Sequence, residues 1–215
     1  MAATRSARGY LSIADKLSHA FESYADRPCI GVRPSPQASF QWLSYSEVGS
    51  DALGLGAALR AQGAHPGDVV AICRQRDRWW YTYDFAAQLK GLVSVGLDNT
   101  STYQSMLGVC EAIQPWCVIV DDTTFGQMSR IANELATRDS ARIRLLVYAD
   151  ERVALSPEHE ESLAGSCTSV LTTHSLLSIA RSLTTIKAES RQPDELATLI
   201  CTSGSSGIPK AAALT

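Results

Sequence analysis

Small and hydroxyl-bearing residues cluster near the end of the chain, at a spacing that suits the binding of a phosphate group. The segment Thr202-Ser203-Gly204-Ser205-Ser206-Gly207 is followed two residues later by Pro209 and Lys210. Glycine lets the backbone approach a ligand and adopt positive φ, so successive N–H groups can converge on an anion. The hydroxyls add donors and the lysine adds a point charge. The residues predicted to bind phosphate are Thr202, Ser203, Gly204, Ser205, Ser206, Gly207 and Lys210.

Two short apolar segments flank this loop and predict a strand on each side of it. They are Leu196–Cys201 before the loop and Ala211–Thr215 after it. The loop is not a Walker A motif, because that motif needs Gly-Lys-Ser/Thr at the start of a helix, whereas here proline precedes Lys210 and alanines follow it. The structural alternative is a Gly/Ser-rich surface turn, which is common for four or five residues.

Alternating helices and strands precede the loop and predict the sheet that holds it. Val69–Cys73 is a continuous apolar run, which is typical of a strand covered on both faces. Such alternation indicates right-handed βαβ crossovers and a mainly parallel sheet flanked by helices, an α/β fold. The predicted helix and strand pairs are 77–90 with 92–97, 102–113 with 116–120, and 125–136 with 143–148.

The N-terminal part predicts a helix over Ile13–Tyr24 and an antiparallel strand pair, Cys29–Val32 with Phe40–Trp42. Ser44 and Glu47 have the spacing of a capping box, which predicts the start of the next helix. Three glycines weaken that helix by about 1 kcal/mol each, so its stability must come from packing. They are Gly49, Gly54 and Gly56.

The composition indicates a globular protein of 215 residues with 45% hydrophobic residues. A net charge of −3 gives no electrostatic reason to expect nucleic acid as a partner, and the basic run 74–78 is predicted to be a solvated helix start. Six cysteines without a CxxC pair indicate reduced, mostly buried thiols and an intracellular, cytoplasmic location. Four scattered histidines lack metal-ligand spacing, so no metal-binding residue is predicted.

No apolar stretch is long enough to span a bilayer, which leaves peripheral membrane association as the open alternative. Residues 1–20 carry three basic side chains. They are predicted to be a flexible or transit-peptide segment or the start of an ordinary helix, so organellar targeting stays open. The polar stretch 150–166 is predicted to be a surface excursion.

The nine residues Thr202–Lys210 resemble the phosphate-binding signature of the adenylate-forming superfamily, which includes acyl-CoA synthetases, peptide-synthetase adenylation domains and luciferases. Three upstream segments resemble the same family in order, namely Leu43–Val48, Gly67–Ile72 and Gly91–Thr100. Val95–Thr100 is most similar to the long-chain fatty acyl branch. Cys201 stands where the family usually has tyrosine, and Ala211 stands where it usually has glycine.

The resemblance implies that residues 1–215 are part of an AMP-binding adenylation domain, the N-terminal part of the synthetase fold truncated after the phosphate loop. The full-length enzyme would use ATP with Mg²⁺ to convert a carboxylic acid into an acyl-adenylate and then, with coenzyme A, into acyl-CoA. The expected carboxylic acid is a fatty acid. Lys210 would be catalytic. The chain alone is expected to be inactive because the remaining motifs lie beyond residue 215. The alternative is a non-catalytic interaction module derived from an acyl-CoA synthetase.

Two other pairs of residues carry weaker hypotheses. Asp121 and Asp122 follow a predicted strand and suggest a paired-carboxylate acid/base site, although acidic residues commonly mark such loops. Trp79 and Trp80 suggest a stacking platform, but on a helix they are more often core residues, or one core and one surface residue. A dinucleotide-dependent oxidoreductase is ranked last, because no strand is followed by Gly-x-Gly-x-x-Gly.

Overall fold

The structure is a computed structural model, and it describes residues 12–33, 35–138, 143–149, 169–189, 191–192, 194–202 and 210–215. The described helices are α1 (Ile13–Ser23), α2 (Tyr45–Ala61), α3 (Arg78–Leu89), α4 (Tyr103–Ile113), α5 (Phe125–Thr137) and α6 (Thr173–Ser182). The described strands are β1 (Pro28–Val32), β2 (Gln41–Ser44), β3 (Val69–Cys73), β4 (Val93–Gly96), β5 (Cys117–Val120), β6 (Leu145–Tyr148), β7 (Ser169–Thr172), β8 (Thr198–Thr202) and β9 (Lys210–Leu214). The predicted surface excursion at 150–166 lies outside the described residues. Of residues 1–20, only 12–20 are described, and 13–20 belong to α1.

Seven of these strands form one sheet in the order β7-β6-β5-β3-β4-β8-β9. All neighbouring pairs are parallel except β8 and β9, which are antiparallel. One buried cluster lies between the sheet and α1, α2, α3 and α6, and a second lies between the opposite face and α4 and α5. The prediction of an α/β fold with a mainly parallel sheet flanked by helices is therefore confirmed.

The strands β1 and β2 form a separate antiparallel hairpin, as predicted. β2 runs from Gln41 to Ser44, so Phe40 precedes the strand that was predicted to include it. Ile30 and Leu43 lie opposite each other and pack against the buried cluster, which attaches one face of the hairpin to the domain.

Close packing compensates for the glycines of α2, in agreement with the prediction. A Cβ atom at Gly49 would lie 2.7 Å from the ring of Phe21, and one at Gly56 would lie 2.7 Å from the carbonyl oxygen of Ala86. The glycines therefore let α1 and α3 approach the backbone of α2. The predicted capping box is also present.

Arg74 corrects the prediction of a solvated helix start, because this side chain is only 6% exposed. Its guanidinium donates hydrogen bonds to the carbonyl oxygen of Ala149 and to the carboxylate of Asp77. The physical reason is position: Arg74 directly follows the central strand β3, so it lies among the carboxyl ends of the neighbouring strands. Asp77 also caps α3 by accepting hydrogen bonds from the N–H groups of Trp79 and Trp80.

Candidate functional site

The strands predicted on either side of the phosphate loop are present and form an antiparallel hairpin at one edge of the sheet. β8 runs parallel to β4, and β9 returns beside β8 with Lys210 opposite Thr202 and Ala211 opposite Cys201. The loop therefore starts and ends at the carboxyl end of β8. The predicted loop residues Ser203, Gly204, Ser205, Ser206 and Gly207 lie outside the described residues, as do the side chains of Thr202 and Lys210.

A cleft of about 870 Å³ opens beside this hairpin. Its floor is formed by Gly96 of β4 together with Thr198 and Ile200 of β8. One wall is formed by α3, and α1 contributes Ile13 and Leu17 to the lining. Ile200 is 49% exposed, so the floor of the cleft is open to solvent on this face of the sheet.

Three side chains of α3 form the inner wall of the cleft, and the sequence reasoning did not identify them as a group. Trp80, Asp84 and Gln88 are spaced four residues apart and therefore share one face of the helix. The ring of Trp80 covers Gly96, because a Cβ atom there would lie 2.9 Å from ring atom Cζ2. The Gln88 amide donates to the carbonyl oxygen of Ala197 at 2.9 Å, which links α3 to the start of β8. The spacing of four was the signal that could have revealed this wall.

Asp84 is the titratable group of this wall, and it interacts with a hydroxyl network at the base of the cleft. Burial raises the pKa of the Asp84 carboxyl above its usual range, and a hydrogen bond with Ser94 opposes this shift. The Ser94 hydroxyl also lies 3.2 Å from Thr198 Oγ1, which donates to the Ser94 carbonyl at 2.9 Å. These contacts join the two strands of the cleft floor by side chains as well as by the backbone ladder.

The rim of the cleft is polar. Asp98 follows β4 and accepts hydrogen bonds from Thr100 N–H at 3.0 Å and from Thr100 Oγ1 at 2.7 Å. These two bonds lower the pKa of Asp98, so the rim carries an ionised carboxylate at neutral pH. Arg76 and Asn99 also line the rim. The cleft therefore combines apolar side chains such as Leu17 and Ile200 with the polar groups of α3, and it has a charged entrance.

The structure gives Asp121 and Asp122 different partners, which does not support a paired-carboxylate site. Asp121 accepts hydrogen bonds from Gln75 N–H at 2.8 Å and from Thr123 N–H at 3.0 Å. Burial would raise the pKa of Asp121, but the bonds from Thr123 and Gln75 and the charge of Arg74 lower it overall. Asp122 instead accepts a hydrogen bond from the hydroxyl of Tyr148. Both carboxylates hold the loop after β5 in place.

The two tryptophans of α3 do not form a joint stacking platform. Trp79 is buried, with the guanidinium of Arg78 lying 3.9 Å from the centre of its ring. Trp80 is partly exposed and lines the cleft. One is therefore a core residue and the other a surface residue, as the alternative interpretation predicted.

The described residues contain no group of three histidine, cysteine or acidic side chains that could hold a metal ion. In the same part of the chain five cysteines are free thiols, and burial raises the pKa of Cys73 and Cys110 to about 12. Among the described helices, none has the length and hydrophobicity needed to cross a membrane.

The doubly wound sheet, the edge hairpin and the adjacent cleft define an α/β protein with a candidate ligand site at the carboxyl ends of its strands. The AMP-binding enzyme family matches residues 17–215, so the chain belongs to that family. This confirms the resemblance drawn from the loop signature.

Curated relatives and solved structures agree with this assignment. The chain is 26% identical to long chain acyl-CoA synthetase 7, peroxisomal, of Arabidopsis thaliana over 95% of its own length and 28% of the relative. It is 29% identical to a carboxylic acid reductase of Mycobacterium tuberculosis over 89% of its own length and 18% of the relative. The chain thus spans less than a third of the length of these proteins.

Among solved structures, the A-PCP didomain of a carboxylic acid reductase from Segniliparus rugosus, in complex with AMP, has the same fold. The TM-score is 0.79 at 23% identity, covering 95% of this chain and 32% of that one. The adenylation domain of a carboxylate reductase from Mycobacterium chelonae gives a TM-score of 0.75 at 24% identity, with 94% of this chain and 34% of that one covered.

Proposed function

We propose that this chain forms the phosphate-binding part of an enzyme that activates a carboxylic acid with ATP. In this reaction a carboxylate oxygen attacks the α-phosphorus, the bond to the bridging oxygen breaks, and pyrophosphate leaves with the electron pair. The observation that carries the proposal is the register of the edge hairpin. It brings the backbones of Thr202 and Lys210 together at the carboxyl end of β8, next to the cleft.

The loop that joins these two residues would stabilise the leaving pyrophosphate. Its backbone N–H groups, the hydroxyls of Thr202, Ser203, Ser205 and Ser206, and the ammonium of Lys210 would act as fixed donors. Negative charge accumulates on pyrophosphate as the bond breaks, so donors fixed in place beforehand stabilise the transition state more than bound ATP. We therefore assign Lys210 a catalytic role. Gly204 and Gly207 would let the backbone of the loop come close to the phosphates.

The substrates are proposed from the relatives and the shape of the cleft. A fatty acid is favoured because several relatives are named long chain acyl-CoA synthetases, and because apolar side chains line part of the cleft. Coenzyme A would then accept the acyl group. Magnesium would accompany ATP and neutralise phosphate charge, but the described residues offer no group of three ligands for it, so we assign it no residue.

Lys210→Ala tests the proposal, with Lys187→Ala as the matched control because Lys187 is an exposed lysine outside the hairpin. Adenylation is measured as exchange of labelled pyrophosphate into ATP, and ATP affinity is measured by calorimetric titration. We expect Lys210→Ala to weaken ATP binding by roughly tenfold, the effect of losing one charge-assisted hydrogen bond. In the full-length enzyme, the barrier to exchange should rise by roughly 2 to 4 kcal/mol, the range for losing one preorganised donor.

Lys187→Ala should change neither quantity. Weaker ATP binding with an unchanged exchange rate would make Lys210 a ground-state contact and contradict its catalytic role. A folded protein that binds neither ATP nor pyrophosphate would favour the non-catalytic interaction module instead.

A further inference from the structure

The N-terminal hairpin presents two aromatic rings on the face that points away from the domain. Phe40 and Trp42 are 50% and 59% exposed, and their ring centres lie 5.9 Å apart. Both rings cross over Gly31, where a Cβ atom would lie only 3.0 Å from Phe40 and 3.2 Å from Trp42. The hairpin is anchored by its opposite face, so the ring pair is held on a supported surface rather than on a free loop.

Two arginines accompany these rings. The guanidinium of Arg33 lies 4.4 Å from the centre of the Phe40 ring, and that of Arg27 lies 4.9 Å from the centre of the Tyr24 ring. Tyr24 is 41% exposed and, with Arg27 and Trp42, lines a shallow groove that continues the ring pair. We call these five residues the hairpin aromatic surface: Tyr24, Arg27, Arg33, Phe40 and Trp42.

The charge of this surface is positive. Residues 27–46 contain two arginines and neither aspartate nor glutamate. Asp26 and Glu47 flank the segment, and the Glu47 carboxylate is already engaged by the Ser44 N–H at 2.7 Å. Within the described part of the chain, neither arginine makes an ion pair, so no carboxylate neutralises their charges. The Arg33 guanidinium also donates one hydrogen bond to the carbonyl oxygen of Pro36 at 3.2 Å.

We propose that the hairpin aromatic surface docks on an anionic phospholipid membrane. Tryptophan and tyrosine favour the membrane interface because they have an apolar body and a polar edge, and arginine adds attraction to anionic headgroups. An acidic peptide would be the competing partner, but it is typically held by clustered arginines that grip carboxylates in a bidentate way. Here each guanidinium instead lies over its own ring, beside apolar surface that could enter the headgroup layer.

Vesicle sedimentation tests this proposal. One set of vesicles contains phosphatidylcholine alone, and in the other about a third of the lipid is phosphatidylserine. We expect binding to the anionic vesicles, and a loss of roughly fivefold in the partition coefficient for Arg33→Gln, as for one arginine removed near an anionic surface. Phe40→Ser with Trp42→Ser should abolish binding. Arg130→Gln is the matched control, because Arg130 is likewise stacked on a ring, that of Tyr103 at 4.8 Å, but on α5 at the other face of the sheet.

A conservative variant separates docking from folding. Trp42→Phe keeps an aromatic ring and should retain binding, but the quenching of tryptophan emission by brominated lipid should fall relative to the original chain. The proposal is overturned if the folded chain does not bind anionic vesicles, or if Arg130→Gln weakens binding as much as Arg33→Gln. A dimer that dissociates on Trp42→Ser, or binding of poly-glutamate in place of vesicles, would assign the surface to a protein partner and also overturn it.

Discussion

Replacing Gly56 by alanine should destabilise the protein, although alanine is the better helix former. The propensity change alone would stabilise α2 by about 1 kcal/mol. The new Cβ atom, however, would lie 2.7 Å from the carbonyl oxygen of Ala86 and 2.6 Å from Cγ of Lys90. The lysine side chain can move, but the carbonyl belongs to the backbone of α3, so the two helices must separate. Overpacking of this kind costs about 1 to 3 kcal/mol, which leaves a net loss of up to about 2 kcal/mol after the propensity gain is subtracted.

Gly108→Ala in α4 is the matched control, because a Cβ atom there would meet nothing within 4 Å. This variant keeps the propensity gain and should be more stable by about 0.5 to 1 kcal/mol. Urea unfolding followed by circular dichroism gives both free energies of unfolding. If Gly56→Ala were stabilised as much as Gly108→Ala, the close contact between α2 and α3 would be refuted.

Two further predictions concern the carboxylates of the cleft and the edge of the sheet. The pKa of Asp84 is raised in the folded protein, so its contribution to stability falls as pH rises from the unfolded pKa through the folded one. Asp84→Asn should therefore raise the free energy of unfolding at pH 7, but it should have no such effect at a pH below the unfolded pKa. The pKa of Asp98 is lowered in the folded protein. Asp98→Asn should therefore lower the free energy of unfolding at pH 7 and have no effect in acid. Amide hydrogen exchange should be faster in β9 than in β3 and β5. Among the described strands β9 pairs only with β8, and residues 211–215 are exposed. Equal protection of the amides in β9, β3 and β5 would contradict this expectation.

The fold could be predicted from the sequence because its signals are local and repeated. Continuous apolar runs such as Val69–Cys73 report burial on both faces, and the helices between them fix the crossovers. The predicted start of α2 was also local, since a capping box needs only Ser44 and Glu47. Element boundaries shifted by one or two residues, as with Phe40, because strand ends depend on pairing partners that are distant in sequence.

The charged residues of the site were harder to predict, because their environment depends on the assembled sheet. Arg74 belongs to a basic run that indicates a solvated helix start, yet it is buried by the ends of strands that come later in the chain. Asp84 lies in the middle of a helix, where a carboxylate usually faces water. Its position over β4 and β8 depends on a strand more than a hundred residues away.

The hydrogen bonds of Asp121 explain why the proposed phosphate site lies at β8 rather than at the centre of the sheet. In a doubly wound sheet, ligands favour the crevice where neighbouring strands lead to helices on opposite faces. One such crevice lies between β3 and β5, which lead to α3 and α5. Hydrogen bonds between protein groups already span this crevice, because Asp121 accepts a hydrogen bond from the Gln75 N–H and the Thr124 hydroxyl donates one to the carbonyl of Cys73. A phosphate would find these donors already engaged and a carboxylate facing it. The chain after β8 instead returns as β9, which pairs with β8 in antiparallel orientation, so the proposed site lies in the connection between these two strands at the edge of the sheet.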